Sequence, residues 1–263
     1  LVDEDSPAYL MGAYHSALSV FPAAEKLEDA FRSGIGMTYD EHGSSCACGM
    51  EKMGAYTKKH RLVQEILPLV PGLVERLSKG IKVADVGCGG ALSTVVMAQA
   101  FPSSTFVGYD TSEHALDLAR KNIEEMGVQN VTVANPSAQP LPSDSTLDFV
   151  TTFDVVHDTP YPDQMIQDIY GALATGGQWL CEDIKGLNSF EENLREHPMA
   201  AMLYGFSITI CMSSGLSTAD GAGLGTLGFT EALAKKMMTN AGFAEFANLE
   251  VDTPLNNYYL ATK

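Results

Sequence analysis

VADVGCGGA, residues 83–91, is the most informative stretch of the chain. The β-branched run from Ile81 to Val86 predicts a buried strand, glycines follow at once, and a helix is predicted from Ser93 to Phe101. Glycine lets a backbone approach a ligand closely because it has no Cβ. The start of the helix offers free N–H groups to a negatively charged group. The stretch therefore indicates a strand–turn–helix unit that binds a ligand, although a tight turn without a ligand would need the same glycines.

Short strands alternate with helices on the C-terminal side of this unit. Strands are predicted at 105–109, 131–134, 147–153, 178–182, 246–251 and 257–262, and helices at 112–126, 164–173 and 230–241. This alternation predicts an α/β fold with a doubly wound, mostly parallel sheet that helices cover on both faces. The last two strands, joined around Pro254, predict an antiparallel hairpin at the sheet edge.

The N-terminal residues have a different, helical character. Helices are predicted at 9–18, 25–31, 53–67 and 73–77, and the Gly- and Ser-rich stretch 33–49 is interpreted as a loop. We divide the chain into a helical N-terminal cap, residues 1–60, and an α/β domain, residues 61–263. Residues 186–226 interrupt the alternation and are interpreted as an insertion that covers the site.

The overall charge restricts the classes of partner. The 263 residues include 16 Lys and Arg against 33 Asp and Glu, a net charge of -17. Such a surface repels nucleic-acid phosphates and anionic lipid headgroups. The composition therefore argues against nucleic-acid and membrane partners.

The five cysteines lack the spacing of a disulfide scaffold, which favours a reducing, cytoplasmic setting. Cys46 and Cys48 could offer two thiolates to a soft metal, but such a pair needs further ligands. No spacing supports Cys181 or Cys211 in that role, so we predict no metal site. The chain begins without a Met, and we expect residues upstream.

Asp110 is the second signal for a nucleotide-like ligand. It follows a predicted strand, 21 residues after Gly89, where an acid can accept both ribose hydroxyls of an adenosine. The alternative is that Asp110 only stabilises the start of the next helix, because an acid with that role would occupy the same place. The fingerprint of a nicotinamide dinucleotide requires a third glycine where this chain has Leu92. Asp85 also suits a cationic ligand group better than a pyrophosphate.

DVGCGGA followed by GYDTSEHALDLARKN resembles the class I S-adenosylmethionine-dependent methyltransferases. The resemblance continues through FDVVHDTPYPDQMI and GGQWLCED to NAGF and NNYYLATK, and covers about residues 60–263. EILPLVPGLVERL, DVVHD and GAGLGT are similar to a subfamily with an N-terminal winged-helix dimerisation region. The resemblance implies a homodimer, with residues 1–60 as the end of that region plus a helical cap.

The resemblance also implies the strand order 3-2-1-4-5-7-6 and a set of cofactor contacts. Gly87 and Gly89 would pack against the methionine part of S-adenosylmethionine, with Asp85 reaching its ammonium and Asp110 holding the ribose. The remaining implied contacts are Thr111 beside the adenosine, Ser137 and Ala138 near the adenine, and Asp154 at the methionine end. Two residues depart from the family pattern: Ala91 replaces a third glycine, and Ser137 replaces an acid.

Methyl transfer is an in-line displacement, so an enzyme must mainly align donor and acceptor and exclude water. His157 follows the fourth strand and is our candidate general base; the alternative is that it only orients Asp154 or Asp158 or caps the next helix. Asp154 is a further candidate for the catalytic group. So are Glu182 and Asp183 at the end of the fifth strand, although these two could instead cap a helix or simply be solvated. The tyrosines that could close over a substrate, or merely pack the cap onto the domain, are Tyr14, Tyr39 and Tyr56.

Three functions remain open at the level of sequence. The first is methyl transfer from S-adenosylmethionine to an O, S or N atom of a small molecule. The second is a nicotinamide-dependent oxidoreductase. The third is a binding module that keeps the cofactor site without turnover, an alternative that Ala91 and Ser137 motivate.

Overall fold

The computed structural model describes residues 3–263, which form a seven-stranded sheet flanked by helices. The strands are β1 (Lys82–Val86), β2 (Thr105–Tyr109), β3 (Val131–Ala134), β4 (Leu147–Phe153), β5 (Leu173–Ile184), β6 (Glu245–Leu249) and β7 (Asn256–Thr262). Their order is β3-β2-β1-β4-β5-β7-β6, and β7 runs antiparallel to both β5 and β6. The predicted fold class, strand order and C-terminal hairpin are therefore confirmed.

Ten α-helices accompany this sheet within residues 3–263. They are α1 (Met11–Ser33), α2 (Gly43–His60), α3 (Leu73–Lys79), α4 (Leu92–Ala100), α5 (Glu113–Met126), α6 (Pro162–Ala172), α7 (Phe190–Glu196), α8 (Ala200–Phe206), α9 (Met212–Gly215) and α10 (Glu231–Ala241). In this described part of the chain, none of the helices has both the length and the apolar character required to cross a bilayer.

The ends of α5 show how local sequence sets a helix boundary. The hydroxyl of Ser112 accepts a hydrogen bond from the backbone N–H of Ala115 at 3.3 Å, which satisfies an otherwise free donor of the first turn. Gly127 ends the helix at φ +67°, a left-handed conformation that glycine adopts without a Cβ clash. Both boundaries agree with the helix predicted at 112–126.

The core lies on both faces of the sheet because side chains of a strand alternate between the faces. On one face, buried residues of the strands pack against α6 and α10: Ala84, Val86, Val150, Trp179 and Tyr259 against Ile166, Ile169 and Met238. On the other face they pack against α3, α4 and the segment before α3: Val83, Phe106, Phe149, Leu180 and Tyr258 against Leu62, Leu77 and Met97. The nearly continuous burial of β1 and β4 is thus that of strands covered on two sides.

The N-terminal helices differ from the sequence prediction in three ways. The two helices predicted at 9–18 and 25–31 are one helix, α1, which continues through Pro22. The loop predicted at 33–49 is wrong from residue 39 onward: a single 3₁₀ turn, Tyr39–His42, leads into α2 at Gly43. Helix α2 also ends at His60, and a π-type turn and a 3₁₀ turn follow over 62–69.

Close packing of α1 against α2 explains one of the glycines that suggested a loop. A Cβ on Gly12 would lie 2.5 Å from the backbone nitrogen of Met53, and one on Gly49 would lie 2.4 Å from Oγ of Ser16. Both distances are too short for a side chain, so glycine is required where the helices touch. Gly49 of the predicted loop thus serves helix packing, whereas Gly34 and Gly43, at φ +75° and +77°, end helical segments.

The insertion predicted at 186–226 contains the short helices α7, α8 and α9. A π-type turn, Ser207–Cys211, joins α8 to α9. Ile210 and Cys211 of this turn are buried and cluster with Cys46 of α2. The insertion therefore meets the cap, which brings cysteines from distant parts of the chain together.

Candidate active site

The candidate residues gather at the edge of the sheet where the parallel strands have their carboxyl ends, the usual position of ligand sites in such sheets. The glycine turn follows β1, Asp110 follows β2, and Ser137 and Ala138 follow β3. Asp154 and His157 follow β4, and Glu182 and Asp183 lie near the end of β5. Thr111, Ser137 and Ala138 are exposed.

The glycine turn needs a left-handed backbone at three positions. Gly87 has φ +73°, Gly89 has φ +56°, and Ala91, directly before α4, has φ +59°. A Cβ on Gly87 would lie 2.3 Å from a methyl carbon of Val155, whereas a Cβ on Gly89 would have no atom within 4 Å. Gly87 thus serves packing of the turn, and Gly89 leaves open space beside it.

Asp110 links the turn to the start of α5. Its Oδ2 accepts a hydrogen bond from the backbone N–H of Gly89 at 2.8 Å, and its Oδ1 accepts one from Ser112 N–H at 2.9 Å. A carboxylate offers about four lone-pair directions, so both oxygens can still accept further donors. Burial raises the pKa of Asp110 above its usual value.

Asp85 lies fully buried near the end of β1. Its two oxygens accept hydrogen bonds from the hydroxyls of Thr94 at 2.6 Å and Thr151 at 2.8 Å. Burial raises the pKa of Asp85 to about 6, although both hydroxyls favour the charged form. The two threonines therefore fix a carboxylate whose charge changes near neutral pH.

His157 is 3% exposed, and its Nδ1 lies 2.7 Å from Oδ1 of Asp183. Burial by itself lowers the pKa of His157, but the charges and hydrogen bonds of Asp183 and Cys211 together outweigh it, and the pKa is raised well above its usual value. The backbone carbonyl of His157 accepts a hydrogen bond from Gly225 N–H at 3.0 Å, which ties it to the insertion. Since Asp183 occupies Nδ1, Nε2 is the ring nitrogen left for other partners.

Glu182 and Asp183 point to opposite faces of the sheet because they are adjacent in β5. The Oε2 of Glu182 lies 2.8 Å from Nζ of Lys58, a buried ion pair between the sheet and α2. The same Nζ lies 3.7 Å from the centre of the Phe153 ring. Glu182 therefore anchors the cap, and the carboxylate beside His157 is that of Asp183.

Asp154 has a left-handed backbone, φ +56°, and an exposed side chain. Its Oδ1 accepts a hydrogen bond from Nδ2 of Asn256 at 2.6 Å. This contact ties the segment after β4 to the start of β7. Asp154 thus lies at the carboxyl edge of the sheet, on its solvent side.

The three candidate tyrosines have different surroundings. Tyr39 packs against the cluster of Cys46, Ile210 and Cys211. Tyr14 is 66% exposed on α1, and the ring of Tyr56 lies 5.1 Å from that of His60 on the same helix. The structure thus brings one of the three tyrosines to the cysteine cluster.

Asp158 and Cys211 lie beside His157 and were not among the predicted site residues. One potential ligand atom from each of the three residues lies within 4.8 Å of the others. Asp158 was considered only as a residue that His157 might orient. Cys211 lies on a distant π-type turn, and no sequence spacing could have connected it to His157.

The family comparison agrees with this architecture. A family model described as a methyltransferase domain matches residues 77–242, more than half of the chain. Among curated proteins, the demethylmenaquinone methyltransferase of Listeria welshimeri is 34% identical over 110 residues, 41% of this chain and 47% of that protein. The trans-aconitate 2-methyltransferase of Variovorax paradoxus is 31% identical over 120 residues, 46% of this chain and 43% of that protein. The chain thus spans about half the length of the curated relatives it matches.

Solved structures share the fold at lower identity. An O-methyltransferase-like protein from Nostoc punctiforme superposes with a TM-score of 0.72 at 23% identity, over 100% of this chain and 75% of that one. Human N-acetylserotonin methyltransferase in complex with S-adenosylmethionine gives a TM-score of 0.62 at 16% identity, over 92% and 66% of the two chains. With the strand order and the family match together, the chain belongs to the methyltransferase domain family and has its class I α/β fold.

Proposed function

We propose that the chain is an enzyme that transfers the methyl group of S-adenosylmethionine to a small-molecule acceptor. The main observation in support of this proposal is that two groups of residues lie at the same edge of the sheet. There the glycine turn with Asp110 follows β1 and β2, and the buried His157–Asp183 pair lies at the ends of β4 and β5. The residues proposed to hold the cofactor and the residue proposed to accept a proton thus lie along one edge of the sheet.

The residues present fit the cofactor. Asp110 has lone pairs left for the two ribose hydroxyls, and the open space beside Gly89 can hold the methionine part. The charge of Asp85 attracts the ammonium group without direct contact, since two hydroxyls already occupy its oxygens. The exposed residues Thr111, Ser137 and Ala138 follow β2 and β3, where they would border the adenosine.

His157 and Asp183 supply the proton transfer. When bound, the cofactor supplies an electrophilic methyl group on a sulfonium. In its neutral form, His157 takes the proton of the acceptor on Nε2 as the acceptor's O, S or N atom bonds to the methyl, while Asp183 holds Nδ1–H and stabilises the imidazolium. Because the pKa of His157 is raised, this neutral form is populated mainly on the alkaline side of neutral pH. An acceptor with an ionisable O–H or S–H gains most from this pair. S-adenosylhomocysteine and the methylated acceptor are the products.

The curated relatives are named for acceptors as different as demethylmenaquinone and trans-aconitate. These names therefore support a small-molecule acceptor for this chain without selecting one. A cytoplasmic location and a homodimer stay predictions of the sequence, as does the winged-helix region upstream.

Calorimetric titration with S-adenosylmethionine tests the cofactor site. Asp110→Asn removes a charged acceptor of hydrogen bonds, which are worth about 1.5–3 kcal/mol each when charged, so we expect affinity to fall about 10- to 100-fold. Asp117→Asn, on the exposed face of α5, is the matched control and should bind normally. Normal binding by Asp110→Asn, or tighter binding of a nicotinamide dinucleotide than of S-adenosylmethionine, would contradict the proposal.

Turnover separates an enzyme from a binding module. Ala91, buried and left-handed where relatives have glycine, is the feature that favours a module without turnover. Incubation of a metabolite extract with methyl-labelled cofactor should give a labelled small molecule that is absent without the protein. Tight cofactor binding with no labelled product from any extract would favour the module.

A further inference from the structure

His157, Asp158 and Cys211 form a buried group of metal-ligating side chains beside the candidate base. They are 3%, 9% and 6% exposed, and one ligand atom from each lies within 4.8 Å of the others. His157 and Asp158 follow β4, whereas Cys211 ends the π-type turn of the insertion. The cofactor contacts described above use none of these three side chains.

Asp183 orients the imidazole within this group. Oδ1 of Asp183 accepts a hydrogen bond from Nδ1–H of His157 at 2.7 Å. Nε2 is therefore the ring nitrogen that remains for a metal. A carboxylate behind a histidine is the common arrangement around metal-bound imidazole, because it fixes the ring and raises its basicity. Within residues 3–263, no side chain donates a hydrogen bond to the carboxylate of Asp158. That carboxylate is therefore free to serve as a ligand.

We propose that His157, Asp158 and Cys211 bind one thiophilic divalent cation of the Zn²⁺ type. A thiolate together with an imidazole selects zinc and similar transition metals, whereas Mg²⁺ and Ca²⁺ prefer sites made of oxygen atoms. The carboxylate and the thiolate also neutralise the two charges of the cation, which a buried position requires. Chemistry and burial thus select the same class of ion.

The three ligand atoms need to move only slightly to reach the separations found around a tetrahedral zinc ion. Tetrahedral zinc bonds of about 2.0–2.3 Å place ligand atoms roughly 3.3–3.8 Å apart, and the three atoms already lie within 4.8 Å of one another. Three protein ligands leave a fourth position for water, as in zinc sites that are not purely structural. Cys46 of α2 lies in one buried cluster with Cys211.

A bound cation would also control the proposed reaction. It occupies the lone pair of Nε2, and this lone pair is the one that accepts the proton in the proposed methyl transfer. Zinc is therefore an inhibitor of this enzyme, a consequence that rests on the proposed function. Cation binding itself does not depend on it.

Titration of chelator-treated protein with Co²⁺ tests binding without cofactor or acceptor. We expect one ion per chain, a near-ultraviolet thiolate-to-cobalt absorption band, and displacement of Co²⁺ by Zn²⁺. Cys211→Ser should lose the band and bind at least about tenfold more weakly, and Asp183→Asn should weaken binding about 10- to 100-fold. Cys48→Ser, which changes a less buried cysteine of α2, is the matched control and should keep the band.

The possible outcomes distinguish failure of the proposed cation site from failure of the proposed methyl transfer. Saturating Zn²⁺ should raise the Tm of the wild-type chain, because the ion binds only the folded state. No saturable binding, no thiolate band in the wild type, or loss of the band in Cys48→Ser but not in Cys211→Ser would overturn the proposal. Circular dichroism verifies that each variant folds, and Cys211→Ala replaces the serine variant if that one does not. Absent methyl transfer with intact Co²⁺ binding would count against the proposed function alone.

Discussion

The two sides of the crevice are assembled in different ways. The cofactor side is local in sequence: one stretch, 83–91, makes the turn, and Asp110 follows 21 residues after Gly89. The acceptor side brings together His157 after β4, Asp183 in β5 and Cys211 in the insertion, with the cap packed beside them. The comparison teaches that a continuous motif builds the proposed donor side, whereas only the tertiary fold assembles the residues of the proposed acceptor side.

The difference extends to electrostatics. On the cofactor side, hydroxyls or backbone N–H groups hold the carboxylates of Asp85 and Asp110. On the acceptor side, a carboxylate holds an imidazole. Changes on the first side should therefore alter cofactor affinity, and changes on the second side should alter turnover.

The largest effect that would test this division is expected for His157→Ala. Loss of a general base typically costs about 10²- to 10⁴-fold in rate, so we expect kcat to fall by that range with little change in affinity for S-adenosylmethionine. Labelled-methyl assays give the rate, and calorimetry gives the affinity. His114→Ala, an exposed histidine on α5, is the control. Equal losses in turnover and affinity would abolish the distinction between the two sides.

The second effect concerns Lys58, which joins the cap to the sheet. Lys58→Met leaves Glu182 buried without its partner, and such a loss costs about 3–5 kcal/mol because an uncompensated charge remains inside. Urea unfolding should show this decrease in the free energy of unfolding. Lys59→Met removes a neighbouring lysine that makes no ion pair in the described residues and should have a small effect.

A double variant sharpens the same test. Adding Glu182→Gln to Lys58→Met removes the unpaired charge, so much of the lost stability should return. If the double variant is as unstable as Lys58→Met, packing of the lysine chain against Phe153 is the dominant contribution. The cap would then be held to the sheet by apolar contact rather than by charge.

The sequence predicted most of the sheet and the glycine turn after β1 because those features depend on neighbours along the chain. Alternation, caps such as Ser112 and Gly127, and the glycine turn all act over a few residues. The same reasoning failed for residues 33–49, because Gly49 serves a contact with α1. The sequence alone does not distinguish a glycine required by contact with a distant helix from a glycine required by a turn.

The acceptor side could be predicted only in part for the same reason. His157 follows a strand and was identified, but its pairing with Asp183 rather than Glu182 depends on which face each side chain takes in β5. Cys211 joins them through the path of the insertion. No periodicity along the chain encodes that path.

The smallest effect we expect is a pH dependence of cofactor affinity. Burial raises the pKa of Asp85 to about 6, so below that pH the protonated carboxyl no longer attracts the ammonium of the cofactor. Affinity should therefore rise with pH through about 6 and level off above it, by no more than about tenfold, the equivalent of one pKa unit. Calorimetry from about pH 5 to about pH 8 measures this change, and Asp85→Asn should flatten it.

Stability should change with pH in the opposite direction. A carboxyl whose pKa rises from 3.8 to about 6 on folding favours the protonated folded state, so its contribution to stability falls as pH rises between those values. Charge on Asp85 thus weakens the free protein and strengthens the complex. Suppose that cofactor affinity and the free energy of unfolding both rise through about pH 6 in the wild type. If Asp85→Asn shows the same two increases, a group other than Asp85 controls the pH dependence. The cofactor side would then not owe its preference for a cation to this carboxylate.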